Sequence, residues 1–247
     1  MNFLELFEKK SLIAAHRGAS SSAPENTLLA MKKSVGRCDF IEIDVQLSSD
    51  GVAVILHDKR LDRTTNIKEL TPYKNRFPYN VSDFTYDELN ILDFGEGENL
   101  LTLKRALEFI KENLLYLNIE IKDVSDSFSD EKIVSTVLED IKNAGVENQV
   151  LVSSFRAEYL TLVKKLSPNM AMALLAYESN HENLIEYLND LGVDAYHINK
   201  KLVNRSLVKR LKAEGIFVSV YVVNDKKEQK RFFDMGVKAV FSDLSAT

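Results

Sequence analysis

Apolar and polar positions along this chain alternate in two rhythms. Short, nearly continuous apolar runs recur, and between them lie longer stretches with apolar residues on one face at helical spacing. The first run, Ser11 to Ala15, ends in His16-Arg17-Gly18. Pro24-Glu25-Asn26-Thr27 then opens a helical pattern through Leu28, Leu29 and Met31 that Gly36 closes. Phe40 to Asp58 reads FIEIDVQLSSDGVAVILHD, two strand-like runs around a polar turn at Ser48–Gly51. Thr102 predicts an N-cap for a helix through Leu114 with Leu103, Leu107 and Ile110 on one face. A strand follows at Tyr116–Lys122, then a helical pattern at 130–144 ending near Gly145. Further strand-like runs begin near 149, 170, 194, 216 and 238, about 22 residues apart, each gap filled by one amphipathic segment.

Repeated βα units of that period predict a parallel sheet with outer helices, and eight or nine strands fit a TIM (β/α)8 barrel. Two features predict that the barrel is distorted. The turn at Ser48–Gly51 is too short for a parallel crossover, so a hairpin is expected there. Such a hairpin places His57 opposite about residue 40, close to Glu42. Residues 59–100 also break the rhythm. They hold Pro72, Pro78, Gly95, Gly97 and five Asn with little periodicity, which predicts an inserted segment with short helical pieces. The expected organisation is one domain over 1–247 with this small insertion after the strand carrying His57.

Composition narrows the function. A length of 247 residues with 45% hydrophobic and 28% charged residues suits one barrel-sized globular domain. The net charge of −5 argues against nucleic acid as a partner. Cys38 is the only cysteine, so no internal disulfide can form. The first fifteen residues carry acids and no long apolar core, so neither a signal peptide nor stable membrane insertion is expected. The expected location is the cytoplasm.

In a barrel, chemistry is sought at the C-terminal strand ends. There the first strand delivers His16 and Arg17, the second Glu42 and Asp44, the next His57, and the strand at 116–122 Glu120 and Lys122. Residues two apart on a strand share a face, so the paired acids point together. Acids facing one way inside an apolar strand are costly without a cation, and a hard divalent metal takes carboxylate oxygens. Glu42, Asp44 and Glu120 are therefore candidate ligands for Mg²⁺ or Ca²⁺, with Mn²⁺ also fitting oxygen donors. Arg17 would grip phosphate oxygens with its planar fork, and Lys122 would add a point charge. His16 and His57 would act as an acid and base pair near neutral pH. The set suits phosphoryl chemistry.

These pieces also resemble the glycerophosphodiester phosphodiesterase family, in its bacterial cytoplasmic type. The matching stretches are AHRGAS at 15–20, PENT at 24–27, EIDVQLSSDG at 42–51, VILHD at 54–58, LDRTTN at 61–66, LNIEIK at 117–122, SSF at 153–155, YVVN at 221–224 and GVKAVFSD at 236–243. The resemblance implies a distorted TIM barrel with an insertion after the His57 strand. It implies catalysis by His16 and His57, metal ligation by Glu42, Asp44 and Glu120, and phosphate contacts from Arg17 and Lys122. The implied substrates are small glycerophosphodiesters such as glycerophosphocholine, cleaved to glycerol 3-phosphate and an alcohol through a cyclic phosphate. Tyr221 stands where the family often has Trp.

Other residues have plainer readings. Phe155 and Tyr221 are candidate pocket walls or core residues. Glu25, Asn26 and Thr27 fix a loop and cap as readily as they ligate. Asp58 orients a neighbour or caps a turn, His181 is on the surface, and His197 is structural or lines the mouth. An enzyme acting on intact lipids is the second reading. It needs an apolar docking rim, for which Phe77, Tyr79, Phe84 and Tyr86 of the insertion are the candidates.

Overall fold

The computed structural model describes residues 2–9 and 11–244. Strands β1 (Leu12–Ala15), β2 (Phe40–Leu47), β3 (Ala53–Ile55), β4 (Leu117–Ile121), β5 (Val150–Ser154), β6 (Ala171–Ala176), β7 (Ala195–Asn199), β8 (Phe217–Tyr221) and β9 (Ala239–Ser242) form one sheet. All but β3 pair in parallel, in the order β1-β9-β8-β7-β6-β5-β4-β2, and pairing of β1 with β2 closes the ring. This is a distorted TIM (β/α)8 barrel. Helices α1 (Leu28–Ser34), α2 (Tyr86–Asn90), α3 (Leu103–Glu112), α4 (Asp130–Ala144), α5 (Ala157–Leu166), α6 (Leu184–Leu191), α7 (Arg205–Ala213) and α8 (Lys226–Met235) complete it.

Capping side chains set where several helices begin. The side chains of Thr27, Thr102, Ser129, Asn204 and Asp225 each accept from a backbone N–H three residues on. Apolar faces of the helices pack on the outer face of the strands, as with Leu103, Leu107 and Ile110 against Ile43 and Val45.

The inner face of the barrel forms a second core. Leu12, Ala14, Phe40, Leu151 and Phe241 fill its lower part with small residues such as Ala173, Ala195 and Ala239 between them. A 3-10 helix at Phe3–Glu8 closes this end from below. Phe3 packs edge-on against Phe40 at 5.2 Å between ring centroids, and Phe7 stacks on Phe217 at 4.7 Å. Each fully buried aromatic of this kind contributes roughly 1.5–3 kcal/mol from area alone. The lower end is thereby sealed, and the polar strand ends stand at the other.

The distortion lies where the short turn predicted it. β3 runs antiparallel to the last residues of β2, pairing Val45 with Ile55 and Leu47 with Ala53. The ladder is centred on Asp50, so Leu56 donates its N–H to Asp44 O at 3.0 Å. His57 therefore follows the partner of Asp44. The expectation that it lies opposite about residue 40 is corrected: it stands beside the upper half of β2, level with the acids. Asp50 fixes the turn, accepting from Ser48 Oγ and from the N–H of Tyr86.

Beyond His57 the chain makes four single 3-10 turns, at Leu61–Arg63, Ile67–Glu69, Thr71–Tyr73 and Val81–Asp83, and then α2. It has an apolar cluster of its own around Leu61, Tyr73, Phe84 and Leu92.

Candidate active site

At the upper end a cavity of about 400 Å³ opens between the strand ends. One side presents His16, Arg17, Glu42, His57, Glu120 and Lys122. The facing side presents Phe155, Leu175, Tyr177, Tyr221 and Phe241, with Asn118 also in the lining. His16, Arg17, Glu42, His57, Glu120, Lys122, Phe155 and Tyr221 thus all border one cavity, and Asp44 lies just beneath it, paired with Arg17 and Lys122 of its lining.

Glu42 and Asp44 share the inner face of β2, and Glu120 is the register partner of Asp44 on β4. One carboxylate oxygen from each lies within 4.8 Å of the others, and all three residues are buried. Like charges at that range repel by roughly 3 kcal/mol per pair at an effective dielectric of about 20. The neighbours answer this unevenly. Asp44 is 3.4 Å from Arg17 Nε and 3.5 Å from Lys122 Nζ, and it accepts from Asn26 Nδ2 at 2.8 Å. Glu120 accepts from Lys122 Nζ at 2.6 Å. Glu42 accepts only the backbone N–H of Arg17, at 2.8 Å, among the hydrogen bonds of the described residues.

The acid–base balance follows that distribution. Burial pushes Asp44 up, but Lys122, Arg17, His57 and Asn26 outweigh it and hold its carboxyl below the usual range. Burial and the Asp44 charge push Glu42 up to about 8. Burial and Asp44 also raise Glu120, against the pull of Lys122. When all are ionised, three carboxylates against two cations leave one negative charge in excess, which the raised Glu42 and Glu120 resist until a further cation is present. A buried, under-compensated oxygen cluster fits a hard divalent cation. Among the described residues, Glu42, Asp44 and Glu120 form the one group of His, Cys, Asp or Glu side chains close enough together to hold a metal ion.

Both histidines are held at Nδ1 by an aspartate. His16 Nδ1 is 2.8 Å from Asp243 Oδ1, and His57 Nδ1 is 2.7 Å from Asp58 Oδ1. That fixes Nδ1 as the donor and leaves Nε2 free in each ring. Burial lowers His16, but Asp243, Glu42 and Asp44 together hold it above its ordinary value. For His57 burial wins, helped by Lys122 and Arg17 against Asp44 and Asp58, and the imidazole is held below its ordinary value.

The loops that frame these groups are tightly set. Arg17 and Asn26 both have positive φ, at 56° and 59°. Asn26 grips Asp44 twice, through its side-chain amine and by accepting the Asp44 N–H at 3.2 Å. Glu25 accepts from Arg17 Nη1 at 2.9 Å, and Thr27 caps α1, so these two residues take the loop-fixing reading. Phe155 is partly exposed with Lys122 Nζ 5.9 Å from its ring centre. Tyr221 meets Phe155 edge-on at 6.3 Å and donates its hydroxyl to Ala176 O at 2.7 Å.

The remaining residues separate cleanly. His197 is fully buried inside the barrel, 5.0 Å from the ring of Phe241, so it is structural and does not reach the mouth. His181 is exposed and stacks on Tyr187. The insertion makes no apolar rim: Phe84 and Tyr79 are buried, Tyr86 is partly buried, and of the four aromatics only Phe77 is well exposed. Among the described residues no helix is long and apolar enough to cross a membrane. The sequence reading missed Asp243, Asn118, Leu175 and Tyr177. Tyr177 follows the end of β6, so the strand-end rule was the signal for it.

The sequence profile described as "Glycerophosphoryl diester phosphodiesterase family" matches residues 16–247. A glycerophosphodiester phosphodiesterase of Bacillus altitudinis is 34% identical over 94% of both chains. One from Caldanaerobacter subterraneus subsp. tengcongensis is 34% identical over 95% of this chain and 94% of its own. A phosphodiesterase of Oleispira antarctica, solved with the product sn-glycerol-3-phosphate, superposes with a TM-score of 0.82 at 31% identity, covering 94% of this chain and 92% of that one. This chain therefore belongs to the glycerophosphoryl diester phosphodiesterase family, a family of hydrolases.

Proposed function

We propose that this protein hydrolyses glycerophosphodiesters, the deacylated remains of phospholipids, to glycerol 3-phosphate and an alcohol, using one divalent metal ion. The observation that carries this reading is the gathering, at one cavity, of two aspartate-held histidines, two cations and three converging carboxylates, of which Glu42 and Glu120 line the cavity and Asp44 lies just beneath it. The product bound in the Oleispira antarctica phosphodiesterase supports the same substrate class.

Glu42, Asp44 and Glu120 would hold Mg²⁺ or Ca²⁺, with Mn²⁺ the further option. When bound, such an ion lowers the pKa of a coordinated hydroxyl and offsets charge gained in the transition state. The charge count supports this: an excess of one negative charge becomes one positive, the complement of a singly charged phosphodiester.

The chain's own residues supply the rest. Arg17 and Lys122 orient and neutralise the phosphate oxygens. The glycerol hydroxyl beside the diester attacks phosphorus, the P–O bond to the head-group alcohol breaks, and a cyclic phosphate forms. His16 and His57 divide the two proton transfers, one taking the proton of the attacking hydroxyl through Nε2 and the other giving one to the leaving oxygen. Water then opens the ring with the roles exchanged. Phe155 and Tyr221 wall the side on which the alcohol leaves. The lone Cys38 favours a reducing compartment, and the proposed location is the cytoplasm.

The test is release of glycerol 3-phosphate from glycerophosphocholine, glycerophosphoethanolamine and glycerophosphoglycerol, with and without EDTA and each metal. Activity lost to EDTA and restored by one of the three ions is expected, with a drop of about a hundredfold or more in His57→Ala. No cleavage of any diester with any ion overturns the reading.

A further inference from the structure

Arg63 belongs to the LDRTTN stretch, which the proposed chemistry leaves without a task. It closes the 3-10 turn Leu61–Arg63, the first turn after the His57 strand. Leu61 roots this turn: its side chain is fully buried, and its N–H donates to Tyr79 O at 3.0 Å. The Arg63 side chain leaves that root half exposed and reaches toward the cavity wall.

Its guanidinium serves two acids at once. Nη1 and Nη2 donate to Glu25 at 2.9 and 2.6 Å. Nε and Nη2 donate to Asp58 at 2.5 and 3.1 Å. Each acid is itself bonded to a group of the site. The Glu25 Oε1 that takes Arg63 also takes Arg17 Nη1 at 2.9 Å, and the Asp58 Oδ1 that takes Arg63 also takes His57 Nδ1 at 2.7 Å. Two branches of charge-assisted hydrogen bonds thus diverge from one side chain.

We propose that Arg63 is a positioning residue that sets Arg17 through Glu25 and His57 through Asp58, tying phosphate binding and proton transfer to one guanidinium. This deepens the phosphodiesterase reading and rests on it. A planar fork with donors on three nitrogens can hold two carboxylates in fixed directions, which a point-charge ammonium does not do. Without Arg63, Glu25 keeps Arg17 as its partner and draws that guanidinium from the phosphate. Asp58 loses the contacts that fix its own direction, and the His57 ring loses its aim. Ion pairs this exposed stabilise a fold little, so the loss is read in kinetics rather than in melting.

The experiment is steady-state cleavage of glycerophosphocholine by Arg63→Ala, Arg63→Lys, Glu25→Gln and Asp58→Asn at saturating metal, with melting curves for each. In Arg63→Ala, KM rises and kcat falls, by about tenfold each, the scale on which supporting partners act. Glu25→Gln reproduces chiefly the KM change, Asp58→Asn chiefly the kcat change, and Arg63→Lys recovers only part of either. Arg63→Ala with both constants within about twofold of wild type, or full recovery in Arg63→Lys, overturns the proposal. His57→Ala in the same assay separates the two levels. If it stays fully active, the reading of the site fails; if it is inactive while Arg63→Ala is normal, only the coupling fails.

Discussion

His16 and Asp243 lie 227 positions apart in the chain, and their side chains meet at 2.8 Å. Parallel pairing of β1 with β9, which sets Ala15 beside Ser242, brings them together as the barrel closes. Asp243 is itself steadied by Asn224, which donates to Oδ2 at 2.7 Å and accepts the Asp243 N–H at 2.8 Å.

Replacing Asp243 by Asn keeps the shape and removes the charge that fixes the His16 tautomer. Turnover is expected to fall roughly 10- to 100-fold with little change in KM. The contribution of His16 to the pH–rate profile should move to lower pH, because Asp243 is among the groups that hold it up. Kinetics across pH 5 to 9 check this, and an unchanged profile would sink it.

Stability of the metal-free protein should fall as pH rises from about 6.5, where the opposing slope set by His197 ends, toward 8. Glu42 titrates at about 8 in the fold, well above its unfolded value. The folded state therefore binds more protons in that window, and stability declines by up to about 1 kcal/mol per pH unit. Glu42→Gln should reduce the slope, leaving the part set by Glu120 and His16, and added divalent ion should reduce it in wild type. Denaturant titrations in EDTA at several pH values measure this directly.

His197 sets an opposite slope at acid pH. Burial pulls its imidazole down to about 3, and neither ring nitrogen has a hydrogen-bond partner among the described residues. Here the unfolded state binds the extra proton. The stabilisation is complete above about 6.5 and fades as pH falls toward 3, again by about 1 kcal/mol per unit. His197→Phe should flatten the acid limb of the stability curve while leaving the alkaline limb alone.

Gly18 is the position in the AHRGAS stretch that tolerates no side chain. Its φ is +75°, and an added Cβ would sit 2.7 Å from the Ala30 carbonyl carbon in α1. Gly18→Ala forces that helix away from the loop bearing Arg17, at a cost of about 1–3 kcal/mol. A lowered melting temperature together with a raised KM is the expected pair of changes.

Much of this was legible in the chain. The βα rhythm gave the barrel, since each strand and helix carries its own period, and the helix at 130–144 ends at Gly145 as predicted, where the structure shows the left-handed conformation. The paired acids stood out because Glu42 and Asp44 interrupt an apolar strand. What sequence could not supply were relationships set by closure and register. The meeting of His16 with Asp243 depends on the β1–β9 pairing. The level of His57, by contrast, follows from a ladder centred on Asp50, inside the predicted turn at Ser48–Gly51, so counting residues from that turn sets His57 level with Glu42 and Ile43 and not with Phe40. The direction in which His197 points depends on which face of β7 turns inward, and Phe3–Glu8 shows its purpose only against Phe217 and Phe40.

That short N-terminal helix also bears on the path of the reactants. With the lower end filled by Phe3 and Phe7, the barrel is closed below, and its cavity lies at the other end. On the proposed mechanism the diester would enter, and the alcohol and the hydrolytic water would pass, by that upper end, along the wall that Phe155 and Tyr221 form.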